Sequence, residues 1–93
     1  VLGEISEEQL YDEMIDEILE ISLNVPGVIA TEKCHVRKMG MTFYVDLHMV
    51  VSGDISVREG HTIAHDLKNE IQKQIPEIAD VLVHTEPDSE ALR

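Results

Sequence analysis

His48, His84 and Glu86 are the residues whose types and spacing could do chemistry together. His84 and Glu86 stand two apart in a segment that reads as a strand, so both side chains point the same way. His48 falls on another predicted strand, on the same face. Two imidazoles and a carboxylate converging make a plausible site for a divalent metal ion. Spacing alone favours the plainer reading of polar groups on a solvated sheet face. His61 and His65 lie four apart on a predicted helix, hence on one side of it. His35 stands opposite Asp46 in the hairpin register below and reads as half of a cross-strand charge pair.

Nothing in the chain assembles a catalytic constellation. An enzyme needs a nucleophile, a base and an orienting group in one pocket. The single cysteine, Cys34, points into the core by strand parity. There is no Gly-rich phosphate loop and no nucleophile elbow. A soluble metal carrier would show a paired-cysteine motif, which one cysteine cannot supply.

The elements that would position these residues are legible in turn. Ser6-Glu7-Glu8-Gln9 has capping-box form and opens a helix. Leu10, Met14, Ile18, Ile21 and Val25 recur along it at helical spacing, and Pro26-Gly27 ends it near Leu23. Strands are predicted over 31–38 and 42–51, the second alternating Phe43, Val45, Leu47, Met49 and Val51 with Tyr44, Asp46, His48 and Val50. Gly40-Met41 suits a two-residue turn with Gly first. That turn pairs Met39 with Thr42, Val36 with Val45 and Cys34 with Leu47. On the other face it sets Arg37 against Tyr44, His35 against Asp46 and Lys33 against His48. Ser56-Val57-Arg58-Glu59 is a second capping box. The helix behind it carries Val57, Gly60, Ala64, Leu67, Ile71 and Ile75 on one stripe and stops at Pro76. A third strand is predicted over 79–86.

The order helix, strand, strand, helix, strand, with a right-handed crossover, places the third strand parallel to the second. The predicted fold is α+β: a two-layer αββαβ domain with a three-stranded mixed sheet and both helices on one face. The other face is left partly bare and carries Tyr44, Asp46, His48, Leu82, His84 and Glu86. A bare face with Leu and Tyr on it points to a partner.

Composition narrows the partners. At 93 residues the chain is one domain, and its 43% hydrophobic content with 3% aromatic means aliphatic side chains build the core. The formal charge of −12 repels phosphate backbones and anionic lipid, so nucleic acid is not expected as a partner, and no stretch approaches the roughly 20 apolar residues of a spanning helix, so membrane insertion of this segment is not expected either. A lone cysteine fits a reducing compartment.

Four stretches together resemble a known family. They are Val25-Pro26-Gly27-Val28 after an acidic helix; Arg37 three residues before Gly40 with Phe43-Tyr44-Val45-Asp46-Leu47-His48; Ser56-Val57-Arg58-Glu59-Gly60-His61; and Val81-Leu82-Val83-His84-Thr85-Glu86-Pro87. In this order and spacing they are similar to the C-terminal domain of cation diffusion facilitators, over about residues 5–88. The resemblance implies a metallochaperone-like (ferredoxin-like variant) fold, a homodimer, and a place on the cytoplasmic face of a membrane, behind a transmembrane domain of the same polypeptide. On that reading residues 1–5 are a linker, 6–87 the dimerisation domain and 88–93 a tail.

The resemblance also implies the function: a regulatory domain, not an enzyme, of a transporter moving divalent cations. Metal at the dimer groove would favour a closed, transport-active state. Its ligand positions fall on His48, His61, His84 and Glu86. Glu32 stands where some members carry His, although the hairpin register gives it core parity, and His65 matches no family ligand. Glu32 and His65 are therefore secondary candidates. A His and carboxylate donor set suits Zn first and also Fe, Mn, Co, Ni or Cd. The alternative from another class is a free-standing dimeric protein that buffers metal or binds a small ligand.

Overall fold

The computed structural model describes residues 6–91. Its elements are α1 (Glu7–Leu23), β1 (Ala30–Met39), β2 (Thr42–Val51), α2 (Val57–Gln74), β3 (Ile78–Pro87) and α3 (Asp88–Ala91). The sheet order is β1-β2-β3, with β1 antiparallel and β3 parallel to β2. This is the expected αββαβ arrangement with one added turn of helix. The predicted linker at 1–5 and the last two residues of the predicted tail lie outside the described residues.

Both main helices start as their sequences direct. Ser6 Oγ accepts from Gln9 N at 3.1 Å and the Gln9 side chain accepts from Ser6 N at 3.1 Å, a complete capping box. At α2, Ser56 Oγ accepts from Glu59 N at 3.0 Å, but the Glu59 carboxylate takes the Ser56 hydroxyl at 3.3 Å instead of a backbone N–H. The second box is thus closed through the side chain.

The apolar stripe of α1 (Met14, Ile18, Ile21) and that of α2 (Leu67, Ile71) meet Phe43, Val45, Leu47 and Met49 of the central strand, with Val25, Ile75, Ile78 and Val81 completing the core. Each such aliphatic side chain contributes about 1.5–3 kcal/mol by leaving water. Among the described residues, no helix is long and apolar enough to cross a membrane.

The hairpin register holds from Met39↔Thr42 through His35↔Asp46 and then breaks. Lys33 adopts φ 50, in the left-handed region, and a bulge sets Lys33 and Cys34 against Leu47 alone. The expected pairing of Lys33 with His48 is therefore replaced by Glu32↔His48, followed by Thr31↔Met49. One added residue moves Glu32 from core parity to the open face.

The charge pairing differs too: Asp46 pairs with Arg37 at 3.7 Å rather than with its ladder neighbour His35. Residues 88–91, expected as part of a loose tail, form the short α3. Asp88 Oδ1 accepts from Ser89 N at 2.9 Å and from Gly53 N at 3.0 Å, tying the strand end to the β2–α2 turn.

Candidate metal centre

Strand pairing alone aligns three candidate residues. Glu32 on β1 faces His48 on β2, and His48 faces His84 on β3, so the three form one row across the sheet. Glu86 is the next residue along β3 on the same face. The main helices α1 and α2 both pack on the opposite side of the sheet. Tyr44, Asp46 and His48 are half-buried, and Leu82 is 55% exposed.

The side chains are already engaged. The His48 and His84 rings stack with centres 4.7 Å apart and planes 17° apart. His48 Nδ1 and Glu86 Oε1 form a short hydrogen bond. An ionised carboxylate can only accept, so Nδ1–H is the donor, and in the neutral ring this leaves the lone pair on Nε2. The hydrogen bond from His48 holds the Glu86 carboxyl below the ordinary carboxylate range. Partial desolvation opposes this, and the charges on His48, Lys33 and His84 reinforce it. Lys33 therefore acts on the site from the bulge, a role that strand periodicity did not reveal.

The donor set of two imidazoles and two carboxylates fits a divalent ion that accepts nitrogen and oxygen ligands. Among the described residues, however, no three His, Cys, Asp or Glu side chains stand close enough together to hold one ion. The backbone lines the donors up, but the side chains as they stand do not close around a point.

The structure does not bring His61 and His65 to this row. Both are exposed on α2, and they border Val81 and Val83, whose parity faces the helices. His61 also reaches a hollow lined by Thr85 and Pro87 at the start of α2. The two histidines meet each other, with ring centres 4.5 Å apart. Cys34 is half-buried against the core, and burial pushes its thiol up to about 11, so it is a poor nucleophile and a poor metal ligand at neutral pH.

The αββαβ architecture can be compared with that of known proteins. A family model described as the cytoplasmic domain of cation efflux proteins matches residues 10–88. The chain is 34% identical over 80 residues to the cation-efflux pump FieF of Pectobacterium atrosepticum, covering 86% of this chain and 26% of that protein. To the manganese efflux system protein MneP of Bacillus subtilis it is 26% identical over 81 residues, covering 87% and 27%. It thus spans about a quarter of the length of the curated relatives it matches.

A solved structure of the MamM CTD superposes with a TM-score of 0.79 at 22% identity, covering 82% of this chain and 96% of that one. Variants of the same domain are known in nickel and cadmium forms. At that identity the likeness establishes the fold. The chain belongs to the cation efflux family, as a cytoplasmic dimerisation domain.

Proposed function

We propose that this domain is a metal-responsive regulator of a larger divalent-cation transporter, binding metal on its open sheet face and so drawing two copies together. The observation that carries this reading is the cross-strand row Glu32, His48, His84, with Glu86 beside it, on the face opposite α1 and α2. His48 would offer Nε2, its tautomer fixed by Glu86, as metal-binding histidines usually have theirs fixed by a carboxylate. His84 and the carboxylates supply further donors.

Among the described residues of one chain, no donor group closes on an ion by itself. Completion takes either release of the His48–Glu86 hydrogen bond or a donor from the facing copy, and both link binding to rearrangement. The manganese efflux named for one relative and the cation efflux named for another support a divalent metal as the ligand class. Nitrogen and oxygen donors without thiolate suit Zn, Fe(II), Mn, Co, Ni or Cd. Transport itself would belong to a membrane part of the same polypeptide.

The test is calorimetric titration of Zn²⁺ and Mn²⁺ into the wild-type chain and into the His48→Ala, His84→Ala and Glu32→Gln variants. The histidine variants are expected to lose at least tenfold in affinity, the scale of one lost ligand or its support. Glu32→Gln is expected to weaken binding as well. Unchanged binding in both histidine variants overturns the assignment.

A further inference from the structure

The hairpin of β1 and β2 ends in two methionines that the core does not use. Met41 is 89% exposed and Met39 58%, whereas Phe43, two residues on, is buried. Gly40 supplies the φ of 65 that the turn requires, so the turn itself asks for no apolar side chain at 41. Among the described residues, nothing lies within 4 Å of a Cβ built on Gly40, so the tip projects clear of the domain.

The charge of this arm is opposite to that of the molecule. Residues 33–41 hold Lys33, Arg37 and Lys38, three of the chain's seven Lys and Arg, and no Asp or Glu, in a chain of formal charge −12. Charges on an edge strand discourage pairing with a foreign strand, which accounts for the basic residues but not for the methionines. Arg37 has Asp46 at 3.7 Å, but both side chains are exposed, so the guanidinium stays open to a further anion. Basic heads beside apolar side chains suit a bilayer surface. The heads meet anionic phosphates, and the apolar groups enter the boundary beneath them.

The tip also stands at the end of the domain where α1 begins. Tyr11, in the second turn of that helix, meets Phe43 with ring centres 6.3 Å apart. Glu7 and Glu8 open the helix at this same end, so favourable contact with an anionic surface is confined to the hairpin.

We propose that residues 37–41 form a lipid-contact tip, in which Met39 and Met41 enter the headgroup boundary of an anionic bilayer and Arg37 and Lys38 meet its phosphates. This rests on membership of the cation efflux family and not on the metal-binding reading. The domain as a whole repels such a surface, so the contact forms only where the domain is already held near a membrane.

The chain contains no tryptophan, so Met41→Trp makes the tip report on itself. The experiment couples this variant, through an added lipid anchor at its N-terminus, to vesicles of brominated phosphatidylcholine with or without phosphatidylglycerol. On the anionic vesicles the tryptophan emission is expected to move to shorter wavelength and to be quenched by the brominated chains. Val57→Trp is the reference: that position is 93% exposed beyond the far end of β2, and its emission should neither shift nor be quenched. Lys38→Gln, added to Met41→Trp, should lower the docking equilibrium by roughly fivefold, the effect of one basic residue near such a surface. All these positions are exposed, so the variants keep the fold. Absence of quenching at 41 overturns the lipid contact and leaves the tip to a protein partner. Quenching that ignores both phosphatidylglycerol and Lys38→Gln overturns the role of charge. Equal quenching in Val57→Trp overturns the assignment to the tip, because tryptophan alone would then be seeking the bilayer.

Discussion

Thr31 Oγ1 is the only buried side-chain polar atom without a hydrogen-bond partner among the described residues. The bulge explains its position: once Lys33 is absorbed, Thr31 pairs with Met49 on the core side. A buried hydroxyl without a partner costs roughly 1–3 kcal/mol, and valine has the same shape without the polar atom. Thr31→Val is expected to raise stability by about 1 kcal/mol, measured by urea unfolding; a loss of stability would show that the hydroxyl is satisfied in solution. Three residues along, the Cys34 thiol is raised to about 11 by burial. At pH 8 it should alkylate with iodoacetamide much more slowly than an unfolded thiol, since the thiolate is the reactive form. Denaturant should restore the rate. Equal rates in the folded and unfolded chain would mean that Cys34 is not held against the core.

At the scale of elements, the turn between α1 and β1 depends on one glycine. Gly27 sits at φ 93, and a Cβ built there would come within 2.6 Å of Ile63 Cδ1 on α2. Strain and overlap act in the same direction, so Gly27→Ala is expected to cost about 1–3 kcal/mol in chemical denaturation. An unaltered midpoint would refute the close approach of the turn to α2. The Pro26-Gly27 stop, the Gly40 turn at φ 65 and both serine caps could be read from residue types, because each type has a local conformational reason to be there.

The bulge could not be read that way. Lysine disfavours the left-handed region, so nothing local marks Lys33 as the extra residue, and the alternation on either side is explained by tertiary packing. That one unread residue accounts for most of what was missed at the site: the placement of Glu32 beside His48 and the action of Lys33 on Glu86. His48, His84 and Glu86 were legible because strand parity is maintained along β2 and β3 around them. His61 and His65 were legible as a helix pair, but the layer they occupy is fixed only by which side of β3 the helix covers.

At the scale of the whole molecule, the proposed function sets metal binding against charge repulsion. Each copy carries a formal −12, so bringing two open faces together forces like charges into proximity. A divalent ion between them reduces that repulsion and offers bonds that only the closed pair completes. The shift it can produce is limited by its preference for the closed over the open form, typically about 1–3 kcal/mol in coupled systems. A ligand bound only by the folded form also raises stability, by about 2.7 kcal/mol at 100 times its dissociation constant.

Acid should reverse the effect, and the sign can be assigned. The His48 hydrogen bond lowers the Glu86 carboxyl in the fold, so the stability Glu86 lends is present above the ordinary carboxylate range and is lost only as pH falls through its lowered value. Glu86 therefore stays ionised at pH 5.5. Imidazoles must be neutral to bind metal, and histidines in general gain protons below about 6.5. Loss of binding between pH 7.5 and 5.5 would thus come from the histidines. A spin label on Met41→Cys, at the hairpin tip where Met41 is 89% exposed, reads the distance between two copies, with the half-buried Cys34 replaced by Ser so that only the tip is labelled. Zn²⁺ is expected to shorten that distance at pH 7.5 and leave it unchanged at pH 5.5. A distance that stays fixed at pH 7.5 while calorimetry shows Zn²⁺ bound would mean that the open face holds metal without coupling it to closure.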